Sequence, residues 1–215
     1  MKVIAINGSP RKNKNTAKLL EKALEGAASK GAEIEIIHLY DLSFKGCISC
    51  FACKSKNCAA PGVCLYNDSL TAALKKCLEA DVIILGSPIY FWDVTGEMRS
   101  FLERLMFPVL TYTEGFKGLL KRKIPIGCIY TMNVSEEFLN DAGYSKIFDH
   151  NHAGLERLFG HCEYINAYNT VQFDDYSKVH CEVFDESTKK KWQEAEFPND
   201  EQRAFELGVR LLERM

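Results

Sequence analysis

Val3-Ile4-Ala5-Ile6, then Asn7-Gly8-Ser9-Pro10-Arg11-Lys12-Asn13-Lys14-Asn15-Thr16, then Ala17, Leu19, Leu20, Ala23, Leu24 and Ala27 at helical spacing decide the fold. The order reads as a buried strand, a polar loop and the start of an amphipathic helix. A helix N-terminus leaves N–H groups without partners and carries partial positive charge, so it suits an anion. The loop adds hydroxyls from Ser9 and Thr16, amides from Asn13 and Asn15, and the Arg11 guanidinium. Gly8 permits close approach of the backbone to a ligand. An ordinary strand–helix turn with capping residues has the same local pattern, so the remaining chain must discriminate. The loop is neither G-x-x-x-x-G-K-[ST] nor G-x-G-x-x-G, which disfavours a magnesium-nucleotide site and a dinucleotide pyrophosphate site. A cradle for one terminal phosphate remains.

Outward from that loop, apolar runs alternate with helical patterns. Glu33–Leu39 is a second strand, and a helix follows Asp68 or Ser69. Asp81–Gly86 is a continuous apolar run, the pattern of a strand covered on both faces. A helix starts near Thr95 and ends at Pro108, Ile124–Tyr130 is a fourth strand, one helix lies between Glu136 and Phe159, and Cys162–Tyr168 is a fifth strand. Strands alternating with helices give right-handed βαβ units. The expected fold is α/β, a flavodoxin-like doubly wound five-stranded parallel sheet of order 2-1-3-4-5. Residues 1–170 read as one domain with a cysteine-rich loop at 41–67. Residues 171–215 read as an extension, irregular over 171–199, and a final helix from about Asp200 to Glu213 packed on that domain.

Composition limits the partners. With 215 residues, 47% of them hydrophobic, one α/β domain has ample core. A formal net charge of −2 argues against nucleic acid and against a polybasic membrane contact. No run reaches the roughly 18 apolar residues of a membrane span. The N-terminus enters a strand without a signal-peptide pattern, so a cytoplasmic location is expected. Nine cysteines in a reducing compartment point to metal ligands, redox thiols or buried small side chains.

Ligands of doubly wound sheets bind beyond the carboxyl ends of the strands. The loops expected there are 7–16, 87–96 and 131–135. The second holds three successive aromatics, Tyr90, Phe91 and Trp92, which suit a planar ring. A phosphate cradle at one end and aromatics at the other suit FMN.

Gly8-Ser9-Pro10-Arg11 with Asn15-Thr16-Ala17, then Gly86-Ser87-Pro88-Ile89-Tyr90, resembles the NADPH-dependent FMN reductase group. With the cysteine loop the chain looks more narrowly like the iron–sulfur flavoproteins. The resemblance covers roughly residues 1–168. It implies that Ser9, Arg11, Asn15, Thr16 and Ala17 hold the FMN phosphate. It implies that Pro88, Ile89, Tyr90 and Phe91 contact the flavin, with Thr131 and Met132 at its border, and the aromatic run adds Trp92 as a candidate. Relatives often have Gly-Gly in the third loop, where this chain has Met132-Asn133.

Cys47-Ile48-Ser49-Cys50-Phe51-Ala52-Cys53, followed by Cys58 and Cys64, presents two C-x-x-C spacings and two candidates for a fourth thiolate. Such runs are common in iron–sulfur proteins, and zinc also accepts four thiolates. The resemblance implies a 4Fe–4S cluster, with free thiols or a redox pair as the alternative in cluster-free relatives. Spacing favours Cys58, and position just before an acidic helix start favours Cys64. Cys77 and Cys128 read as buried fillers. No proton donor is identified: His38, His150, His152, His161 and His180 read as structural or surface residues.

The expected function is an FMN-dependent oxidoreductase, with NAD(P)H as transient co-substrate and a flavin, a quinone, a metal ion or a protein as acceptor. The alternative is an FMN and 4Fe–4S carrier between protein partners; a third reading is a cofactor-free scaffold. A homodimer or homotetramer is expected by the same resemblance.

Overall fold

The computed structural model describes the backbone of all 215 residues and every side chain except those of Tyr144, Ser145 and Ile147. The chain runs β1 (Lys2–Asn7), α1 (Asn15–Ser29), β2 (Glu33–His38), α2 (Leu70–Glu79), β3 (Val82–Tyr90) and β4 (Asp93–Val94). It continues through α3 (Gly96–Val109), β5 (Ile126–Thr131), α4 (Glu136–Asp141), α5 (Tyr144–Phe159), β6 (Cys162–Ala167) and α6 (Glu186–Leu212). The sheet order is β2-β1-β3-β5-β6, with β4 paired to β3 off that path. The neighbours along the path are parallel, and β3–β4 is antiparallel. This is the flavodoxin-like order expected from the sequence, with six strands where five were expected.

The apolar runs become strands because both faces are covered. Ile4, Ile6, Ile83 and Leu85 face one way, against Leu70 and Leu74 of α2, Phe101 and Leu105 of α3, and Phe148 and Leu155 of α5. Val3, Ala5, Val82 and Ile84 face the other, against Leu19 and Leu20 of α1 and Leu207 and Leu211 of α6. Successive strand residues point to opposite faces, so each strand feeds both layers. Helices α1 and α6 meet backbone to backbone. A Cβ on Gly208 would lie 1.9 Å from the Ala23 carbonyl oxygen, and one on Gly26 would lie 2.0 Å from that of Phe205. No helix of the described residues is long and apolar enough to cross a membrane.

Three boundaries differ from expectation. Strand β3 does not stop at Gly86 but runs to Tyr90, so Ser87–Tyr90 belong to the strand rather than to a loop. The helix expected between Glu136 and Phe159 is two, α4 and α5, divided at Gly143, whose φ is +74°. Helix α6 begins at Glu186, not near Asp200, and continues through Pro198. A proline normally ends a helix because it lacks an N–H and its ring meets the preceding turn. Here Phe197, Ala204, Leu207 and Leu211 are buried along one element, and their packing carries the helix past it.

Candidate functional site

The carboxyl ends of β1, β3 and β5 converge on one cavity of about 90 Å³. Its lining includes Ser9, Arg11, Asn15, Thr16, Pro88, Ile89, Tyr90, Thr131 and Met132, nine of the residues singled out from sequence. Ala17 does not line it; it is fully buried in the α1 core face, so only its backbone N–H is turned to the helix start. Phe91 and Trp92 stand outside it at the tip of the β3–β4 hairpin.

The first loop is locked by its own polar groups. The Asn7 side chain accepts from the Ser9 N–H at 2.9 Å and pairs with His38 Nδ1 at 2.9 Å. Gly8 N–H donates to the Gly86 carbonyl at 2.8 Å, and a Cβ on Gly8 would meet the Met98 Cβ at 2.9 Å. The hydroxyl of Thr95 donates to the Gly8 carbonyl at 2.7 Å and accepts from Met98 N at 3.3 Å, capping α3. Thr16 and Thr131 hydroxyls meet at 2.8 Å, joining the first and third loops. Ser9, Thr16 and Thr131 are all buried.

Helix α1 has no side-chain cap and no acidic residue in its first turn. Thr95, Ser135 and Asp185 cap α3, α4 and α6, whereas α2 and α5 share the lack of a side-chain cap; what sets α1 apart is the cavity and the buried hydroxyls at its start. The first N–H groups of α1 thus keep their capacity to donate, beside two buried hydroxyls and facing a cavity. Unpartnered N–H groups and the partial positive charge of a helix start are the features that favour an anion. At the opposite rim the Asn133 Oδ1 is buried with no hydrogen-bond partner, an acceptor facing the same space.

Residues 170–174 close the site as a strap. The Arg11 guanidinium donates to the Gln172 carbonyl at 2.5 Å, Asn15 Nδ2 donates to the Val171 carbonyl at 3.0 Å, and Lys14 pairs with Asp174. Gln172 also accepts from Asn133 Nδ2 at 2.8 Å. Lys189, one of three successive lysines in the sequence, is buried and donates to the Asn133 carbonyl and to Asn169 Oδ1. Burial pulls its pKa down to about 8. The sequence carried no signal for this role, since a run of lysines reads as a solvated face.

The aromatic segment forms a two-residue hairpin. Tyr90 pairs with Asp93, and Phe91 and Trp92 between them have φ of +47° and +70°. Both central residues at positive φ define a turn that favours Asn-Gly, and β-carbons are strained there. Phe91 is 90% exposed, so its ring is not repaid by core burial. Strain of this kind gathers at functional positions. Replacing the pair by Asn-Gly (Phe91→Asn with Trp92→Gly) is expected to raise the unfolding free energy by about 1–2 kcal/mol in a urea titration. No gain would show that ring packing outweighs the backbone strain.

The cysteine loop lies along α3. Ser49 and Phe51 both have φ of +53°, which folds the C-x-x-C-x-x-C segment back on itself. Cys47, Cys50, Cys53 and Cys64 line one small void with Glu103, Arg104, Phe107 and Pro108. Cys58 does not line it. Arg104, 2% exposed, organises the loop. Its guanidinium donates to Asp68 Oδ2 at 2.5 Å, the Lys45 carbonyl at 3.0 Å, the Tyr66 carbonyl at 2.6 Å and Cys64 Sγ at 3.4 Å. Among the described residues, the one trio of metal-capable ligand atoms drawn within 4.8 Å of one another lies elsewhere, at Cys128, His152 and Cys162. Among the described residues no three loop sulfurs lie within 4.8 Å of one another.

The sequence pattern of the family described as NADPH-dependent FMN reductase matches residues 1–132, and the chain belongs to that family. Among curated relatives, an iron–sulfur flavoprotein of Methanocaldococcus jannaschii is 43% identical over 104 residues, 48% of this chain and 51% of the relative. An iron–sulfur flavoprotein of Archaeoglobus fulgidus is also 43% identical over 104 residues, 48% of each chain. The chain spans about half the length of the curated relatives it matches. Among solved structures, an NAD(P)H:quinone oxidoreductase from Methanothermobacter marburgensis superposes with a TM-score of 0.71 at 17% identity, covering 98% of both chains. An FMN-dependent NADH-azoreductase from Bacillus anthracis, solved in complex with FMN, gives 0.65 at 18% identity over 98% of both chains. At such identities the likeness is one of fold.

Proposed function

We propose that the chain is an FMN-dependent oxidoreductase that accepts electrons from a reduced nicotinamide and passes them to a flavin or quinone. The observation that carries this reading is the uncapped, carboxylate-free start of α1 facing a cavity beside buried Ser9 and Thr16 hydroxyls. Bound FMN would supply the hydride and one-electron chemistry. Ser9, Thr16 and the first N–H groups of α1 hold its phosphate, with Arg11 and Asn15 at the rim. Pro88, Ile89 and Tyr90 flank the ring system, and Thr131 and Met132 border it. The buried Asn133 Oδ1 gains a hydrogen-bond donor from the cofactor. The Phe91 and Trp92 rings, thrown outward by the hairpin, cover the flavin edge from water when an acceptor or a second copy of the chain docks. Residues 1–170 are the cofactor-binding unit, and residues 171–215 supply its strap and the helix behind it.

A second reading is favoured by the four thiols around one void. It is an electron carrier in which Cys47, Cys50, Cys53 and Cys64 hold a 4Fe–4S cluster alongside FMN and the partner is a protein. The void lies beside Glu103–Pro108, about two helical turns along α3 from Thr95, which holds the first loop through the Gly8 carbonyl. Anaerobic purification with an absorbance spectrum, iron and sulfide assays and NADH and NADPH oxidation assays separates the readings. Flavin absorbance with nicotinamide oxidation stimulated by a quinone or free FMN supports the reductase. Flavin with iron and sulfide but no nicotinamide oxidation supports the carrier. A folded chain that cannot be loaded with FMN overturns both.

A further inference from the structure

The sheet face away from α1 and α6 holds a second polar cluster that the flavin site does not use. The β5–β6 register pairs Cys128 with Tyr164 and Ile126 with Cys162, so the two cysteines sit diagonally on one face. Helix α5 lays His152 over them. One His152 nitrogen and the sulfurs of Cys128 and Cys162 lie within 4.8 Å of one another. The His152 ring is stacked on Tyr164, 4.1 Å between centroids and 18° between planes. Its Nε2 meets the Tyr130 hydroxyl at 3.0 Å. Its Nδ1 is buried with no hydrogen-bond partner. Cys128, Tyr130 and His152 are 1%, 4% and 8% exposed.

An imidazole fixed at one nitrogen by a hydroxyl and left bare at the other has the orientation that a metal-binding histidine receives from its supporting shell. An orphaned buried nitrogen is costly unless something satisfies it. Two sulfurs and one imidazole are a borderline-soft donor set, the set used for zinc. We propose that Cys128, His152 and Cys162 form a buried Zn²⁺ site, bound through both sulfurs and His152 Nδ1, with a water in the fourth position. Two thiolates balance the charge of the dication, so the occupied site is neutral in an apolar surrounding. Binding releases the two thiol protons to solvent, and no electron is transferred. A cavity of about 80 Å³ between β3, α3 and α5 reaches Tyr130, which supports His152. The ion would tie β5, β6 and α5 together.

The test uses the full chain with Cys47, Cys50, Cys53, Cys58 and Cys64 replaced by serine, which removes the loop as a competitor, reduced and stripped with a chelator. Titration with Co²⁺ is expected to give one equivalent with thiolate charge-transfer and intense tetrahedral visible bands, displaced by Zn²⁺. Adding Cys128→Ala and Cys162→Ala should abolish both. Absence of the bands in the loop variant with native thermal unfolding, or their persistence after Cys128→Ala and Cys162→Ala, overturns the site. Should the loop variant not fold, zinc per chain is compared between the unaltered protein and Cys128→Ala/Cys162→Ala after anaerobic reconstitution. A loss of one equivalent supports the site, and equal zinc content overturns it.

Discussion

Replacing Ser9 by Ala together with Thr16 by Val should weaken FMN binding by between about 100-fold and 10,000-fold while the chain stays folded. Each hydroxyl donates to a charged phosphate in the proposed complex, and hydrogen bonds to charged groups contribute about 1.5–3 kcal/mol each. Two of them sum to about 3–6 kcal/mol, and each 1.4 kcal/mol is a factor of ten in affinity. The fold survives because Thr16→Val keeps the side-chain shape and Ser9→Ala removes a single oxygen. The structural cost is the Thr16–Thr131 contact at 2.8 Å and the Ser9 hydroxyl's bonds with the Arg11 N–H at 3.2 Å and carbonyl at 3.3 Å, neutral hydrogen bonds of about 1 kcal/mol each. Flavin-fluorescence titration measures the affinity, and far-ultraviolet dichroism checks the fold. Unchanged affinity in the folded double variant would remove the phosphate assignment.

The second large effect is expected at Arg104. Removing one partner of a buried ion pair leaves the other charge uncompensated, at a cost of about 3–5 kcal/mol. Arg104→Ala strands Asp68, whose side chain is only 15% exposed, and frees the Lys45 and Tyr66 carbonyls. It also withdraws the donor from Cys64. The expected results are a lower urea midpoint, faster thiol labelling of Cys64 and, where the loop holds a cluster, loss of iron. Arg104→Lys should recover little, since an ammonium cannot reach these acceptors in a planar fork. Burial pushes the Asp68 carboxyl up, but donors from Arg104, Leu70 and Lys45 together hold it below its ordinary value. A carboxylate with a lowered folded pKa stabilises fully above its unfolded value, about pH 4, and that part is lost as pH falls through the folded value. The stability difference between Arg104→Ala and the parent should therefore shrink in acid. A difference that does not change below pH 4 would show that the ion pair is not its source.

The parallel strands were legible because burial on both faces writes a continuous apolar run, as in Val82–Leu85. The first loop's place at the cavity was legible because its hydroxyls and amides cluster between a strand and a helix. The hairpin was not: Phe91 and Trp92 occupy positions where turn chemistry calls for Asn-Gly, so the segment reads as a loop and β3 seems to end four residues early. Helix α6 was hidden by Pro198 and by a polar first half that packing, not periodicity, holds in place. Arg104 was hidden because a charged residue in an amphipathic helix reads as facing water; only the folded cysteine loop shows that it is enclosed. Choosing between Cys58 and Cys64 needed the path of that loop, since spacing and flanking charge pointed to different residues. Cys128 is as buried as expected, yet its neighbours are His152 and Cys162, brought to it by pairing of β5 with β6 and by a helix in between.

The strap over the first loop also bears on the order in which the molecule is made. Asn15 is fastened to Val171 and Arg11 to Gln172, across 156 and 161 residues of chain. Helix α1 is seated on α6, which is translated still later. A chain synthesised from its N-terminus at about 5–20 residues per second thus presents its first loop to the cell for several seconds before its covering segment exists. Contacts so distant in sequence are among the slower to form. In the proposed complex, cofactor capture belongs to the end of translation, because a ribosome-bound fragment that stops before the strap would have a nearly complete sheet but no cover over its first loop.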